Sequence, residues 1–398
     1  MPHDTSLIAT IAVGLAFAFV GGFLAIRFRL PPLVGYLLAG IAVGPFTPGF
    51  VADAELAPQL AEIGVILLMF GVGMHFSIGD LLAVRDVAVP GALAQIAVAT
   101  ALGAGLTALW GWPIGAGVVF GLALSVASTV VLLRALEARG LLDSDDGRIS
   151  VGWLIVEDLI MVLALVLLPP LAGPLGSPAA GDPPPGGLWV VIGLTLAKVA
   201  AFVALMLVVG SRVLPWILKR VESTGSRELF TLAVIALSLG VAFGSAKLFG
   251  VSFALGAFFA GVVVHESDLS HRAAKELQPL QDAFSALFFV SVGMLFDPAV
   301  LVRQPLQVLA VVAIIVVGKS LTALGIVLVL RRPLKTALIV SAALAQIGEF
   351  SFILVALGIL LGLVPPEAQS LIVAGALLSI TINPLVFSAV ERWFPEAR

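Results

Sequence analysis

The sequence contains no cysteine and little charge: Lys, Arg, Asp and Glu make up only 11% of its 398 residues. Without cysteine, neither disulfides nor thiolate metal centres can form. A soluble domain carries about 25% charged residues, so the low charge excludes that class. With 60% hydrophobic residues and a mean hydropathy of +1.17, the chain is predicted to be an integral membrane protein. A formal net charge of −3 indicates no nucleic-acid partner.

Thirteen apolar segments, separated by charged or Gly/Pro clusters, predict membrane-spanning helices. They lie near residues 6–26, 32–45, 57–76, 87–110, 113–135, 149–171, 187–213, 228–245, 251–265, 281–296, 304–330, 335–361 and 366–388. With the N-terminus outside, 17 of the 21 Lys and Arg residues fall in cytoplasmic loops or at cytoplasmic span ends, as the positive-inside rule requires. The prediction is an all-α polytopic membrane protein with its N-terminus outside and its C-terminus in the cytoplasm.

A repeat at a spacing of about 220 residues relates the two halves of the chain. Gly35–Val43 aligns with Gly256–Val264, and Val72–Phe76 aligns with Val292–Phe296. Because the paired spans are seven apart, the two copies cross the membrane in opposite directions. Inverted repeats are typical of secondary transporters that bind their substrate at mid-membrane. Within one transmembrane domain, 1–398, we expect repeat 1 at about 6–171, a linker helix at about 187–213 and repeat 2 at about 228–388.

Two adjacent acids, Glu157 and Asp158, interrupt the apolar run of the sixth span. A charge at the centre of a spanning helix costs about 2.5–3.5 kcal/mol on insertion scales, and such residues mark ion or proton sites. Lys319, within the eleventh span, lies too far from either loop to reach the surface. It therefore needs a buried partner, for which Glu157 and Asp158 are the candidates.

Spans 5 and 12, which are equivalent in the repeat, each contain a polar break. The first break carries Ser125, Ser128 and Thr129, and the second carries Gln346 and Glu349. Unwound backbone at membrane depth occurs where it lines a cavity or is buried in protein, and paired interruptions indicate a binding site. Small hydroxyl residues also serve helix packing, which is the interpretation favoured for Ser125 alone. For Ser128 and Thr129, opposite Glu349, a binding site is favoured.

No nucleotide-binding motif, metal-ligand spacing or Ser–His–Asp pattern is visible in the sequence. We therefore predict neither an enzyme activity nor a bound cofactor.

Six motifs together resemble the second monovalent cation:proton antiporter family, in particular the membrane domain of its Kef-type and YbaL-like members. The resemblance covers essentially the whole chain. The motifs are Pro32–Gly40, Gly64–Phe76, Ala127–Val131, Trp153–Asp158, Phe288–Met294 and Gln346–Phe350.

The resemblance implies a homodimer in a bacterial inner membrane. Each protomer is expected to have an NhaA-like inverted repeat with crossed discontinuous helices, and a core that moves against a dimerisation domain. Asp158 matches the family's ion-binding aspartate, and Ser128 and Thr129 match the break beside it. Lys319 matches the lysine that pairs with the residue before that aspartate, which here is Glu157.

Two departures from Kef-type proteins limit what the resemblance implies. Those proteins carry Gln where this chain has Glu157, so the exchange stoichiometry does not carry over. They also continue into a cytosolic nucleotide-binding regulatory domain, whereas this chain ends at Arg398. The expectation is either that a longer native chain carries that domain or that this is an ungated relative.

The resulting hypothesis is antiport of a monovalent cation, K⁺ first and Na⁺ second, against H⁺. Asp158 holds cation and proton in turn, while Ser128, Thr129 and backbone carbonyls complete an oxygen shell of the kind hard cations prefer. Lys319 and Glu157 are expected to exchange a salt bridge. Supporting polarity comes from Glu349, which compensates the half-helix ends, and from Gln346. Two alternatives stay open: a gated K⁺ channel, and an organic-anion symporter on the same scaffold.

Overall fold

A computed structural model describes residues 6–48, 56–75, 78–142, 144–178 and 187–393, and within these ranges all regular structure is helical. The helices are α1 (Ser6–Arg27), α2 (Pro32–Ala42), α3 (Leu56–His75), α4 (Ile78–Leu109), α5 (Ile114–Ser125), α6 (Thr129–Glu137), α7 (Asp145–Leu171), α8 (Gly187–Leu205), α9 (Ser211–Glu222), α10 (Arg227–Phe249), α11 (Phe253–His265), α12 (Ser270–Met294), α13 (Val300–Arg303), α14 (Pro305–Ala313), α15 (Lys319–Val329), α16 (Leu334–Ala343), α17 (Glu349–Leu360) and α18 (Glu367–Trp393).

Eight helical stretches of the described ranges are long and apolar enough to cross a membrane, and five shorter apolar helices accompany them. Two pairs, α5 with α6 and α16 with α17, are halves of interrupted spans. In two further pairs of helices the members are joined by a π-helical turn: Met206–Gly210 links α8 to α9, and Ile314–Gly318 links α14 to α15. The chain is an all-α, multi-pass membrane protein, as predicted.

The residues group into two compact units. Unit 1 comprises Met1–Gly21, Tyr36–Ser77 and Pro184–Met294, and unit 2 comprises Gly22–Gly35, Ile78–Pro183 and Leu295–Arg398. Each unit contains segments of both predicted repeats: unit 1 includes Tyr36–Ser77 and Pro184–Met294, and unit 2 includes Ile78–Pro183 and Leu295–Arg398.

In unit 1, glycines let two pairs of helices approach closely. Helix α2 meets α12 at Gly40 and Gly293, and α3 meets α11 at Gly73 and Gly261; a Cβ on any of the four would overlap a backbone carbonyl of the partner helix. Gly40 and Gly261 are 221 residues apart, and Gly73 and Gly293 are 220 apart. The two contacts are therefore equivalent under the predicted repeat.

The turns that follow three pairs of helices also recur with the repeat spacing. In each turn one residue has positive φ, the left-handed conformation that closes many helix C-termini. The pairs are Arg29 (φ 59°) with Gly250 (φ 67°), Gly111 (φ 78°) with Arg331 (φ 58°), and Gly140 (φ 63°) with Gly362 (φ 66°). Their separations are 220 to 222 residues, close to the spacing of the predicted repeat.

Unit 2 is held together by an apolar core to which helices α4, α6, α7, α15, α16 and α18 contribute. Trp153 of α7 is fully buried, and its ring lies against Gly91 of α4, where a Cβ would overlap it. Helix α7 begins at the N-cap Ser144, whose hydroxyl accepts a hydrogen bond from the Gly147 N–H at 3.1 Å. This core fixes α7 between α4 and α16, and α7 carries the two acids.

Candidate ion-binding site

Glu157 and Asp158 lie near the middle of α7 and are both buried, with exposed fractions of 0% and 3%. Consecutive residues of an α-helix point about 100° apart, so the two carboxylates meet different neighbours. Glu157 contacts Gln95 of α4 and the backbone that follows α5, whereas Asp158 contacts Thr129 at the start of α6.

The two broken spans meet at their breaks. Between α5 and α6 the chain is extended, with φ −90° and ψ 134° at Val126 and φ −81° and ψ 125° at Ser128. The Ser128 N–H donates to Gln346 Oε1 at 2.8 Å, and Gln346 Nε2 donates to the Ser128 carbonyl at 3.2 Å. A Cβ on Gly348 would overlap Ser128. Gln346 thus replaces lost helical hydrogen bonds, while Gly348 allows the close approach.

Charged side chains oppose the ends of the half-helices. Glu349 is the first residue of α17, and its Oε2 accepts from the hydroxyl of Ser128, the N-cap of α6, at 3.1 Å. Its negative charge therefore lies at two helix N-termini, which are the positive ends of the helix dipoles. Lys319 Nζ donates to the Gln346 carbonyl at 2.9 Å, just beyond the C-terminus of α16. The predicted role of Glu349, to compensate the half-helix ends, stays a prediction.

Asp158 and Glu349 both have a carboxylate oxygen available. Asp158 Oδ2 accepts from the Thr129 hydroxyl at 3.1 Å, but Asp158 Oδ1 has no hydrogen-bond partner among the described residues. The same holds for Glu349 Oε1. The two carboxylates accept hydrogen bonds from neighbouring residues of the first break, Asp158 from Thr129 and Glu349 from Ser128. Unsatisfied buried carboxylate oxygens are costly unless a proton or cation joins them, so this pair is the candidate position for such a ligand.

The expected direct salt bridge from Lys319 to Glu157 or Asp158 is wrong for this conformation. No carboxylate oxygen lies within 4.0 Å of Lys319 Nζ among the described residues. Both Glu157 oxygens already accept hydrogen bonds, Oε1 from Gln95 Nε2 and Oε2 from the Ala127 N–H at 2.9 Å. Lys319 and Glu157 still attract each other electrostatically, without direct contact.

Ser125 lies at the site, but its hydroxyl faces its own helix. It donates to the Leu122 carbonyl at 2.7 Å, and the Ser125 carbonyl accepts from Gln95 Nε2 at 3.5 Å. This bonding agrees with the packing interpretation for the Ser125 side chain and leaves only its backbone near the acids.

Two polar residues in this region were not predicted from the sequence. Gln95, fully buried, bonds Glu157, and Asn383 of α18 donates from Nδ2 to the Ala342 carbonyl at 2.7 Å, at the end of α16. Their only sequence signal is a lone amide inside an apolar span, a pattern equally consistent with helix packing.

The π-helical turn Ile314–Gly318 ends immediately before Lys319. Such turns are rare and occur most often at functional sites. The turn contains one residue more than an α-helical turn. It therefore changes the side of the helix on which the Lys319 side chain lies.

Within the described ranges, no group of three or more His, Asp or Glu side chains could hold a metal ion in the manner of a multivalent metal centre. The arrangement consists instead of a few carboxylates, hydroxyls and backbone carbonyls.

Crossed, broken helices around buried acids define a secondary ion transporter. The transmembrane family described as sodium/hydrogen exchanger matches residues 15–393, and the chain belongs to that family. It is accordingly a membrane transporter of the cation/proton antiporter class rather than an enzyme.

Individual relatives agree with this assignment. The chain is 61% identical over 393 residues to the putative cation/proton antiporter YbaL of Escherichia coli (strain K12), covering 99% of this chain and 70% of that protein. It is 34% identical over 404 residues to K(+) efflux antiporter 4 of Arabidopsis thaliana, covering 98% of this chain and 66% of that protein. The family resemblance predicted from the six motifs is confirmed.

The fold matches that of a sodium proton antiporter from Methanocaldococcus jannaschii. The TM-score is 0.66 at 17% sequence identity, with 98% of this chain and 96% of that one covered. The similarity of fold thus extends over nearly the whole length of both chains.

Proposed function

We propose that this protein exchanges a monovalent cation, K⁺ before Na⁺, for H⁺, with Asp158 carrying each in turn. The observation that carries the proposal is the buried Asp158 Oδ1, which lacks a hydrogen-bond partner in the described part of the chain. One carboxylate that binds either a cation or a proton couples the two fluxes, since it cannot hold both.

Oxygen ligands for the cation are available around Asp158. The Thr129 hydroxyl already contacts its carboxylate, and Ser128 lies at the same break. A hydroxyl has two acceptor lone pairs besides its proton, so both side chains can turn an oxygen toward a cation. Extended backbone at the breaks offers carbonyls as further ligands of the type that hard cations take.

The charge of the buried cluster favours a cation over an anion. Glu157, Asp158 and Glu349 face one ammonium, that of Lys319, and all four are at most 3% exposed. Glu349 already occupies the N-terminal ends of α6 and α17, where an anionic substrate is otherwise attracted. These contacts argue against the organic-anion symporter.

Potassium is placed before sodium because of the 34% identity to a K(+) efflux antiporter, a distant relationship. The homodimer, the N-outside orientation and the bacterial inner membrane likewise belong to the proposal. The proposal also includes the two sequence repeats with their linker, and the alternating-access movement expected of repeat transporters.

Proteoliposomes test this function. We expect an outward K⁺ gradient to drive H⁺ uptake with wild-type protein and Asp158→Asn to reduce it by at least 100-fold, because the neutral amide binds neither ion tightly. The matched control is Asp145→Asn on the same helix, whose carboxylate is exposed and pairs with Arg148; its exchange stays near wild type. Proton-coupled exchange by Asp158→Asn, or K⁺ flux without proton movement, would contradict the proposal, and the latter would favour the channel.

A further inference from the structure

Gln95 is a buried amide whose orientation is fixed by its neighbours. Its Nε2 lies within hydrogen-bond distance of Glu157 Oε1 and of the Ser125 carbonyl. The Ser125 carbonyl can only accept, so the NH₂ group must face it and cannot be exchanged with Oε1. Gln95 Oε1 then has no partner among the described residues. A buried amide oxygen without a hydrogen-bond partner is unfavourable, so the position of Gln95 calls for an explanation other than packing.

The contacts of Gln95 decide which donors Glu157 uses. Together with the Ala127 N–H, the amide supplies a hydrogen bond to each oxygen of Glu157. Lys319 is therefore not needed as a direct partner, and its ammonium bonds the Gln346 carbonyl of the second break instead. Gln95 also bonds the Ser125 carbonyl, one of the last of α5, which lacks a helical partner.

We propose that Gln95 is a positioning residue for the exchange: it holds Glu157 in its ionised form, turned toward the first break and away from Asp158. The proposal rests on the proposed function of Asp158. Hydrogen bonds donated to a carboxylate favour its charged form. Because Gln95 secures Glu157 as an anion, the proton taken up in each cycle goes to Asp158 rather than being shared between the adjacent acids.

Removing the amide should therefore make Glu157 easier to protonate. The free energy of one hydrogen bond to a charged group is equivalent to a shift of about one pH unit in the titration of that group. In Gln95→Met, which keeps the side-chain length, the acid limb of the pH profile of cation-driven proton exchange should move about one unit toward alkaline pH. In a Glu157→Gln background the same substitution should not move it, because position 157 no longer titrates.

Thr100→Val is the matched control. Thr100 lies on the same helix as Gln95, and its buried hydroxyl has no partner among the described residues. Its removal should leave the pH profile in place. Gln95→Asn, which withdraws the amide by one methylene, serves as a second variant if Gln95→Met does not fold, with an alkaline shift in the same direction.

Infrared titration of the purified protein separates this proposal from the proposed function. The carbonyl band of protonated Glu157, identified as the band lost in Glu157→Gln, should reach half its intensity about one pH unit higher in Gln95→Met than in wild type. This readout does not depend on transport, so a failure of Asp158 as carrier would leave it intact. An unchanged titration in Gln95→Met, whatever its stability, would overturn the positioning role.

Discussion

At the scale of single residues, adjacent acids acquire separate surroundings because the helix turns about 100° between them. Glu157 has a donor for each oxygen, whereas Asp158 keeps one oxygen without a partner in the described structure. Hydrogen bonds to both oxygens stabilise the charge of a carboxylate, whereas an oxygen without a hydrogen bond is available to bind a ligand. The proposed division of roles between the two acids follows from the directions of their side chains rather than from their chemical type.

Lys319 is the single buried Lys or Arg among the described residues, and its loss should be costly. Lys319→Met removes the hydrogen bond to Gln346 and leaves Glu157 without a compensating charge, so we expect destabilisation of about 3 kcal/mol, typical of an uncompensated buried charge. Thermal unfolding in detergent measures it. In a Glu157→Gln background the loss should be clearly smaller.

The control for that experiment is Lys198→Met, because Lys198 is exposed on α8 and its removal strands no buried charge. Equal losses for Lys319→Met with and without Glu157 would show that the two charges do not interact.

The residues around the acids could be largely, but not completely, predicted. The repeat and the polar breaks indicate Ser128, Thr129 and Glu349, and the structure brings these three together with Asp158; their binding of an ion stays a prediction. The partner of Lys319 could not be predicted, since the Gln346 carbonyl becomes available only where a helix unwinds. A backbone acceptor leaves no trace in side-chain composition.

At the scale of helices, the crossing of two breaks depends on a residue without a side chain. A Cβ on Gly348 would overlap Ser128. Gly348→Ala should therefore separate the breaks and destabilise the protein by about 1–3 kcal/mol, as overpacking does, with a larger proportional loss of exchange. Unfolding temperature and proteoliposome exchange measure the two effects.

Gly325→Ala on α15 provides the comparison, because no atom outside its own helix lies within 4 Å of a Cβ there. Alanine also favours the helix over glycine, so this variant should be at least as stable as wild type. Similar behaviour of Gly348→Ala and Gly325→Ala would contradict a role for close approach at the breaks.

Helix boundaries differ from the predicted spans where helices are polar. Helix α4 begins at Ile78 and α12 at Ser270, several residues before the predicted starts near 87 and 281. The hydropathy pattern detects apolar length, whereas a helix continues through charged residues as long as its backbone is hydrogen-bonded. The hydropathy pattern therefore predicts where a chain crosses the membrane, but it does not predict where the helix begins or ends.

At the scale of the whole molecule, the distribution of Lys and Arg predicts a membrane orientation that can be measured. The chain lacks cysteine, so single cysteines can be introduced without background. Thr224→Cys, between α9 and α10, should react only with reagents on the cytoplasmic side, and Pro366→Cys, between α17 and α18, only from outside. Both positions are exposed. Labelling of both from one side would overturn the predicted topology.

The spacing of the repeat was the most informative part of the sequence at this scale. Glycine pairs such as Gly40 with Gly261 recur with it because close helix contacts require the same absent side chain in both copies. The grouping of the chain into two units was not predictable in detail, because α1 and α2 are each divided between them.

The π-helical turn at Ile314–Gly318 has an evolutionary consequence. Gain or loss of one residue within a regular helix turns everything beyond it by about 100°, so spans normally tolerate substitutions but not changes of length. Here the span already contains an additional residue just before Lys319. A single-codon deletion at this turn could be absorbed as ordinary α-helix while turning the buried ammonium to another neighbour. Descent within this family could thus alter the site by insertion and deletion without replacing any charged residue.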